Sequence, residues 1–161
     1  MAFSAFVKFE GGKAKIPGNI SKGPRFGWIE VGSYSFGATQ AGSFSYGGGG
    51  GTGKVQFNDF HFTYPSGDPD PALFQACASG EHINEVSLEV VKPGPPDQVY
   101  FKCVFTDVLV SSFSTSGASS GGVKPTTSIS INYKSMTSSY SQKTDKSALL
   151  LQHDLDSALR G

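Results

Sequence analysis

The sequence predicts a mainly β domain with one short packed α-helix and a C-terminal extension. Three observations lead there. Gly, Ser, Thr and Phe dominate, with 21 Gly and 13 Phe in 161 residues, while leucine is scarce before residue 145. Apolar residues recur at the two-residue period of strands with one buried face. One internal segment alone, residues 70–80, carries helix start and stop signals.

The first strand is Phe3-Ser4-Ala5-Phe6-Val7-Lys8-Phe9-Glu10, apolar at its odd positions and closed by Gly11-Gly12. Residues 11–25 hold Gly, Pro and Lys without a period and read as a loop. Gly27–Gly37 is the second strand, with Ile29 and Val31 on one face and Trp28, Tyr34 and Phe36 on the other. A Gly/Ser connector over 38–53 holds five consecutive glycines, Gly47 to Gly51. Lys54–Thr63 returns to strand, and its apolar residues change face between Phe57 and Phe60, which predicts a bulge at Asn58-Asp59. Asp70 is the expected helix N-cap, Pro71 suits the first helical position and Gly80 the position past the end. Leu73, Phe74 and Cys77 form the stripe that should lie on the sheet. Val86, Leu88 and Val90 mark the next strand. After a Pro/Gly turn, Val99–Val110 follows, with Phe101, Cys103 and Phe105 on one face and Val104, Val108 and Val110 on the other. Residues 111–128 read as a second Ser/Gly loop, 129–134 as a final strand, and 135–144 as polar chain. From Asp145, Ala148, Leu151, Leu155 and Leu159 recur at helical spacing and predict a short amphipathic helix.

Composition excludes several function classes. A chain of this length is one domain by default and buries about 70% of its unfolded surface, so it needs no staples. Lys+Arg and Asp+Glu are 13 each, which lacks the clustered positive charge of a nucleic-acid or anionic-membrane binder. No apolar run approaches the ~20 residues of a membrane span. Met1–Phe9 has neither the basic start nor the long apolar stretch of a secretory signal. Cys77 and Cys103 make no disulfide framework and fit a reducing cytoplasm as small buried groups.

Each motif suggestive of chemistry has a plainer account. Gly48–Lys54 matches the phosphate-loop spacing, but Val55 stands where magnesium needs a hydroxyl, and a strand follows where a helix is required. His61, His82 and His153 lie far apart, and neither they nor the cysteines show zinc spacing or a base-orienting third residue. Asp68 and Asp70 flank prolines before a helix, which suits capping better than calcium. Phe44, Tyr46, Phe57, Phe60 and Phe62 could form a stacking platform, but they lack adjacent cations and suit a core or a subunit contact. No catalytic, metal or cofactor-binding residue is nominated, and no enzyme activity is expected. Strands apolar on both faces, in so short a chain, predict apolar area left over for self-association, with closed rings as the symmetric outcome.

Several blocks resemble the haemolysin-coregulated protein (Hcp) family. They are Met1-Ala2-Phe3 with Phe6-Val7-Lys8-Phe9, Trp28-Ile29-Glu30-Val31 with Ser33-Tyr34-Ser35-Phe36-Gly37, and Gly47–Lys54 entering Val55-Gln56-Phe57. Leu73–Ile83, Asp107–Ser112, and Pro125 before Ser128–Tyr133 continue the series in order. The resemblance covers residues 1–140, taken as one barrel domain, with 141–161 as a tail it does not map. It implies a β-barrel of two sheets with a helix beside it, the subunit of the type VI secretion tube. It further implies homo-hexameric rings that stack inside a sheath behind a spike, assembled in the bacterial cytoplasm and then expelled, with small effectors in the lumen. No cofactor, nucleic acid or membrane insertion is implied. By the same resemblance, the loop from Gln40 to Gly53 is a ring-stacking arm, through Gln40, Ser43, Tyr46, Gly47, Gly48, Gly49, Gly50, Gly51 and Gly53, and Ser35 faces the lumen. The alternative is a monomeric β-barrel or sandwich binding module, for carbohydrate among other ligands, that uses the surface aromatics.

Overall fold

The computed structural model describes residues 3–13, 15–40, 55–94, 98–140 and 149–154. Its strands are β1 (Ser4–Glu10), β2 (Ile29–Val31), β3 (Ser33–Ser35), β4 (Ala38–Gln40), β5 (Val55–Phe57), β6 (Phe60–Pro65), β7 (His82–Lys92), β8 (Gln98–Ser116), β9 (Thr126–Tyr140) and β10 (Leu149–Asp154). One helix, α1 (Asp70–Ser79), lies between β6 and β7. An antiparallel sheet runs in the order β2-β1-β7-β8-β9-β6-β3, with β10 added on β9; β4 and β5 form a separate two-stranded ribbon.

The large sheet nearly closes into a barrel because β2 and β3 are one run of chain bent at Gly32. Before the bend, Val31 pairs with Ala5 of β1; after it, Ser33 pairs with Thr63 of β6. The Gly32 N–H donates to the Thr63 carbonyl at 2.8 Å, so this short run meets both ends of the strand order. The expected single strand over 27–37 is therefore two strands with different partners.

The barrel interior is aromatic at its centre. Phe60 stacks on Phe105 at 4.7 Å, and Phe105 meets Tyr133 at the same distance. Val7, Ile29, Phe62, Leu88, Cys103, Ile129 and Ile131 complete a core with almost no solvent contact. Val108 and Val110 belong to it too, although simple alternation sets them opposite Cys103 and Phe105. The reason is a shared kink. In β7 the buried residues step from Ile83 to Val86, in β8 from Phe105 to Val108, and in β9 from Tyr133 to Met136. Each strand keeps two successive residues outward at the same level, where Asn84, Asp107 and Lys134 lie in one row by register. Asp107 sits at φ 52, a left-handed conformation that Asp tolerates better than most residues. Such irregularities bend a sheet and re-aim its side chains.

Other expectations shift for equally local reasons. Lys54–Thr63 is not one strand with a bulge: β5 ends at Phe57 in the ribbon and β6 begins at Phe60 in the barrel. The corner between them is pinned, since the Tyr133 hydroxyl donates to the Asn58 carbonyl and Asp59 accepts from Ser111 Oγ and Asn132 Nδ2. The second Ser/Gly loop shrinks to 117–125, because the serine- and threonine-rich flanks 111–116, 126–128 and 135–140 join β8 and β9. The C-terminal helix is corrected as well: Leu149–Asp154 is a strand, pairing Leu149 with Tyr140 through Asp154 with Ser135. An unfilled stretch of β9 edge outweighs helical spacing over so short a run, because short isolated helices are marginal in water. The rest of the tail lies outside the described residues.

Helix α1 buries Leu73 and Ala76 and ends at Gly80, whose φ of 68 and N–H bond to the Ala76 carbonyl make a left-handed cap. Phe74 is not on the buried stripe; it is 59% exposed and meets Phe113 edge-on at 5.2 Å. The N-cap is Pro69, not Asp70. Asp70 is one position inside, where its carboxylate accepts from the Tyr64 hydroxyl at 2.6 Å and from Thr127 Oγ1 at 2.9 Å. Both donors are fully buried, so this bond pair ties α1 to β6 and β9 and leaves no buried proton unpaired.

Asp70→Ala should cost about 2–3 kcal/mol in denaturant unfolding, because two buried donors lose their acceptor; Asp70→Asn should recover part of it. A second prediction concerns alkaline pH. Burial pushes the Cys103 thiol up to about 12, and burial, then Cys103 and Asp59, pushes Tyr133 up to about 12. Tyr64 is raised as well, by burial first and then by its bond to Asp70. The unfolded chain releases these protons earlier than the fold does. Stability should therefore be intact well below pH 9.0, where unfolded cysteine is half ionised, and fall as pH climbs through that value toward 12. Denaturation midpoints across that range read this directly, and Tyr133→Phe should flatten the slope.

Candidate functional site

Three surfaces deserve comparison, and each follows from how the barrel is built. The first is an apolar mouth. The inward row of β1 runs Val7, Ala5, Phe3, and at Phe3 it reaches the end of the barrel. Ala5 pairs with Val90, and Val90 with Phe101, so the same inward level crosses three strands. Beyond it the wall has no further layer. Phe3, Tyr34, Phe36, Val90, Tyr100 and Phe101 line a cleft of about 370 Å³ there. Phe36 forms its floor, stacked on Phe101 at 5.8 Å and edge-on to Phe105 at 6.1 Å.

Tyr100 reaches the rim because β8 carries an extra residue at that point: Val91 pairs with Val99 and Val90 with Phe101. Its ring meets Phe3 at 5.1 Å and Tyr140 at 4.7 Å, and the Tyr140 hydroxyl donates to it at 2.9 Å. That hydrogen bond, ahead of burial, raises the Tyr100 phenol above its ordinary value.

The apolar exterior is narrower than two-faced strands suggest. The runs over 27–37, 54–63 and 99–110 change partner, sheet or facing at Gly32, Asn58-Asp59 and Asp107, which returns most of their apolar residues to the core. Among the described residues the exposed large hydrophobics are Phe3, Phe26, Tyr34, Phe74, Tyr100 and Val123. Three of these six line the one mouth, so the exposure that remains is concentrated.

The second surface is the outer face of β8, β9, β6 and β3. Register places Ser114, Ser128, Thr63 and Ser33 in one cross-strand row, and Ser112, Ser130, His61 and Ser35 in the next. Seven hydroxyls and one imidazole make up these rows. Ser33 and Thr63 bond at 2.6 Å, and His61 Nδ1 and Ser130 Oγ lie at 2.9 Å, so part of this surface satisfies itself. Ser35 is exposed on this face opposite His61.

The third is the β4–β5 ribbon. Ala38 pairs with Phe57 at its root and Gln40 with Val55 at its tip, from which residues 41–54 continue. Isolated two-stranded ribbons are marginal, and this one is anchored by Phe36 and Phe57 against the core and by Asn58 N–H on the Gly37 carbonyl at 2.8 Å. Gln40 is exposed at the tip. Ser43, Tyr46, Gly47 to Gly51 and Gly53 lie outside the described residues, as do Phe44 and most of the phosphate-loop pattern. The residues after Lys54 are strand β5, not the helix a phosphate loop opens.

The remaining chemical candidates resolve into structure. Cys103 is buried, and Cys77 is half-buried on α1. His61 bonds Ser130, and His82 Nδ1 lies 2.7 Å from Asp107 Oδ1, so neither imidazole is aimed at a cysteine. Asp68 is exposed, and Asp70 serves Tyr64 and Thr127. Among the described residues no three His, Cys, Asp or Glu side chains converge as metal ligands would. The aromatic platform divides: Phe60 and Phe62 are core, and Phe57 braces the ribbon. Sequence reasoning missed the mouth itself; its signal was Phe3 continuing the buried row of β1, beside an unexplained Tyr100.

A family model described as the type VI secretion system effector Hcp matches residues 6–140. Among solved structures, the chain is similar to a type six secretion system protein at 25% identity, with 98% of each chain covered and a TM-score of 0.83. Hcp1 from Salmonella typhimurium is 24% identical, with 98% of this chain and 97% of that chain covered and a TM-score of 0.75. A type VI secretion system effector from Yersinia pestis is 22% identical, with 93% and 98% covered and a TM-score of 0.70. At such identities the last two likenesses show a shared fold. No curated protein matches the chain.

Proposed function

The chain belongs to the Hcp family of type VI secretion tube proteins, and from that membership we propose that it works without catalysis, as homo-hexameric rings stacked into the expelled tube. The observation that carries this reading is the family match over residues 6–140, which runs from within β1 to the end of β9. Net charge is zero, so identical copies approach one another without the self-repulsion that keeps strongly charged proteins apart. The rings assemble in the bacterial cytoplasm, meet sheath and spike, and leave through the type VI apparatus. Among the described residues no helix is long and apolar enough to cross a membrane.

Two surfaces acquire roles in this reading. The face bearing Ser35 lines the lumen, where hydroxyl rows with one imidazole offer small effectors weak hydrogen bonding and little selection by charge. Such a wall lets cargo ride without sticking. The ribbon's tip, from Gln40 onward, is the ring-stacking arm, with the glycine run supplying backbone freedom. Ring–ring contacts are weaker than contacts within a ring, because the tube must hold in the sheath yet come apart after delivery.

Native mass spectrometry should give a species at six times the 16.9 kDa chain, and negative-stain images should show six-fold rings with an open centre. Monomers alone across the micromolar range would refute the proposal. Deleting Gly47–Gly51 should leave rings intact and shorten tubes. Tubes of unchanged length, with secretion unchanged, would remove the arm assignment.

A further inference from the structure

We infer that the mouth of the barrel, unfilled by the described residues, is a strand slot that a second copy of this chain occupies; the inference rests on the ring reading above and names a contact within it. The slot follows from the bend at Gly32. Pairing between β1 and β2 runs from Val7 with Ile29 to Ala5 with Val31 and stops there. Past the bend, β3 turns to β6, and the strand order ends at β3 without returning to β1. Ser4 keeps its partner on one side, Val91 of β7, and β3 keeps its partner on one side, β6. Phe3, just before Ser4, and Tyr34, from the middle of β3, both line the same cleft.

The slot is therefore bounded by two strand edges, each paired on its far side. Its floor is apolar and opens onto the core through Phe36 and Phe101. That combination takes an extended segment: the edges supply main-chain hydrogen bonds and the floor takes alternate side chains. Among the described residues the lining holds no charged side chain, and the chain is neutral overall, so a second copy enters without charge repulsion or a buried unpaired ion. The barrel's other seam is already covered. Asn19 Oδ1 accepts from the Glu30 N–H at 2.9 Å, and Asn19 Nδ2 donates to the Glu30 carbonyl, so the loop before β2 guards that strand's outer edge. Among the described residues, one edge is thus protected by a side chain and the apolar one is left open. Tyr34 and Tyr100 are 41% and 36% exposed and stand on either side as anchors.

The test uses the full chain with Tyr34→Asp, Tyr100→Asp and, as a control for surface charge, Val123→Asp, which is exposed and lines no part of the mouth. Sedimentation across the micromolar range should show association weakened at least about tenfold in the two tyrosine variants and unchanged in the control. Hydrogen exchange on the wild-type chain should show those amides of 33–36 that are not bonded to β6 becoming protected as concentration rises, a readout that needs no variant to fold. Folded tyrosine variants that associate like the wild type would overturn the slot while the ring reading stands. A wild-type chain that never associates would overturn both. Protection of these amides already complete in dilute monomer would assign the slot to the chain's own residues and overturn the inference.

Discussion

Closing a sheet on itself requires that strands bend while their apolar side chains keep facing one interior. Here the facing changes along a row crossing β7, β8 and β9, where the ladders skip Asn84, Asp107 and Lys134. Each strand turns two neighbouring residues outward at that level, so the buried series restarts one position out of phase. Without this step Val108 and Val110 would face solvent and the aromatic centre around Phe60, Phe105 and Tyr133 would lose its upper layer. The partner change at Gly32 adds to it, because one run of chain pairs with β1 before the bend and with β6 after it.

A curved wall still leaves seams, and polar side chains close them. Asn19 imitates a strand partner for Glu30, and this is possible because Gly18 lets the loop approach closely: a Cβ there would lie 2.3 Å from the Trp28 carbonyl oxygen. Asp70 joins α1 to the barrel through Tyr64 and Thr127, and Ser66 extends the network by its bond to Thr127. On the outer face, Arg25 bonds Glu89 at 3.1 Å while its guanidinium lies over Phe6 and Trp28. Its stem and plane cover apolar surface that a monomer would otherwise expose. These contacts are specific to one position each.

Legibility in the sequence followed the strength of hydrophobic contrast. Strand β1 and the centres of β7 and β9 alternate cleanly and are where alternation places them. The helix was legible from Asp70-Pro71 and Gly80, though not the cap, because an acidic residue beside two prolines fits two adjacent positions and only Tyr64 and Thr127 decide between them. The ends of β8 and β9 were hidden because most of their residues are serines and threonines, which left Phe113, Met136 and Tyr140 as scattered apolar markers. Facing in β8 was misread because no single sequence signals that three strands will kink together. The tail's leucines carry helical spacing, yet Leu149 to Leu151 pair with a bare stretch of β9. Of the site residues, Ser35 could be placed on a face, whereas the mouth required knowing that β1 and β3 part company.

The chemistry of the surface divides in a way that suits a conduit assembled from copies of itself. Apolar contact favours association without orientation, and half of the exposed large hydrophobics among the described residues stand at the mouth, where strand edges add direction. Hydroxyls favour neither adhesion nor repulsion, and they cover the face that carries Ser35. A protein in which these two were mixed would stick to its cargo or fail to close. Separation follows from topology, not from composition: the chain is uniformly rich in Phe and Ser, and the kinked strands sort them. The inward positions of β6 and β9 are Phe60, Phe62, Ile129 and Ile131, and the outward ones are His61, Thr63, Ser128 and Ser130. One alternating pattern thus builds the wall's rigidity on one side and its indifference on the other.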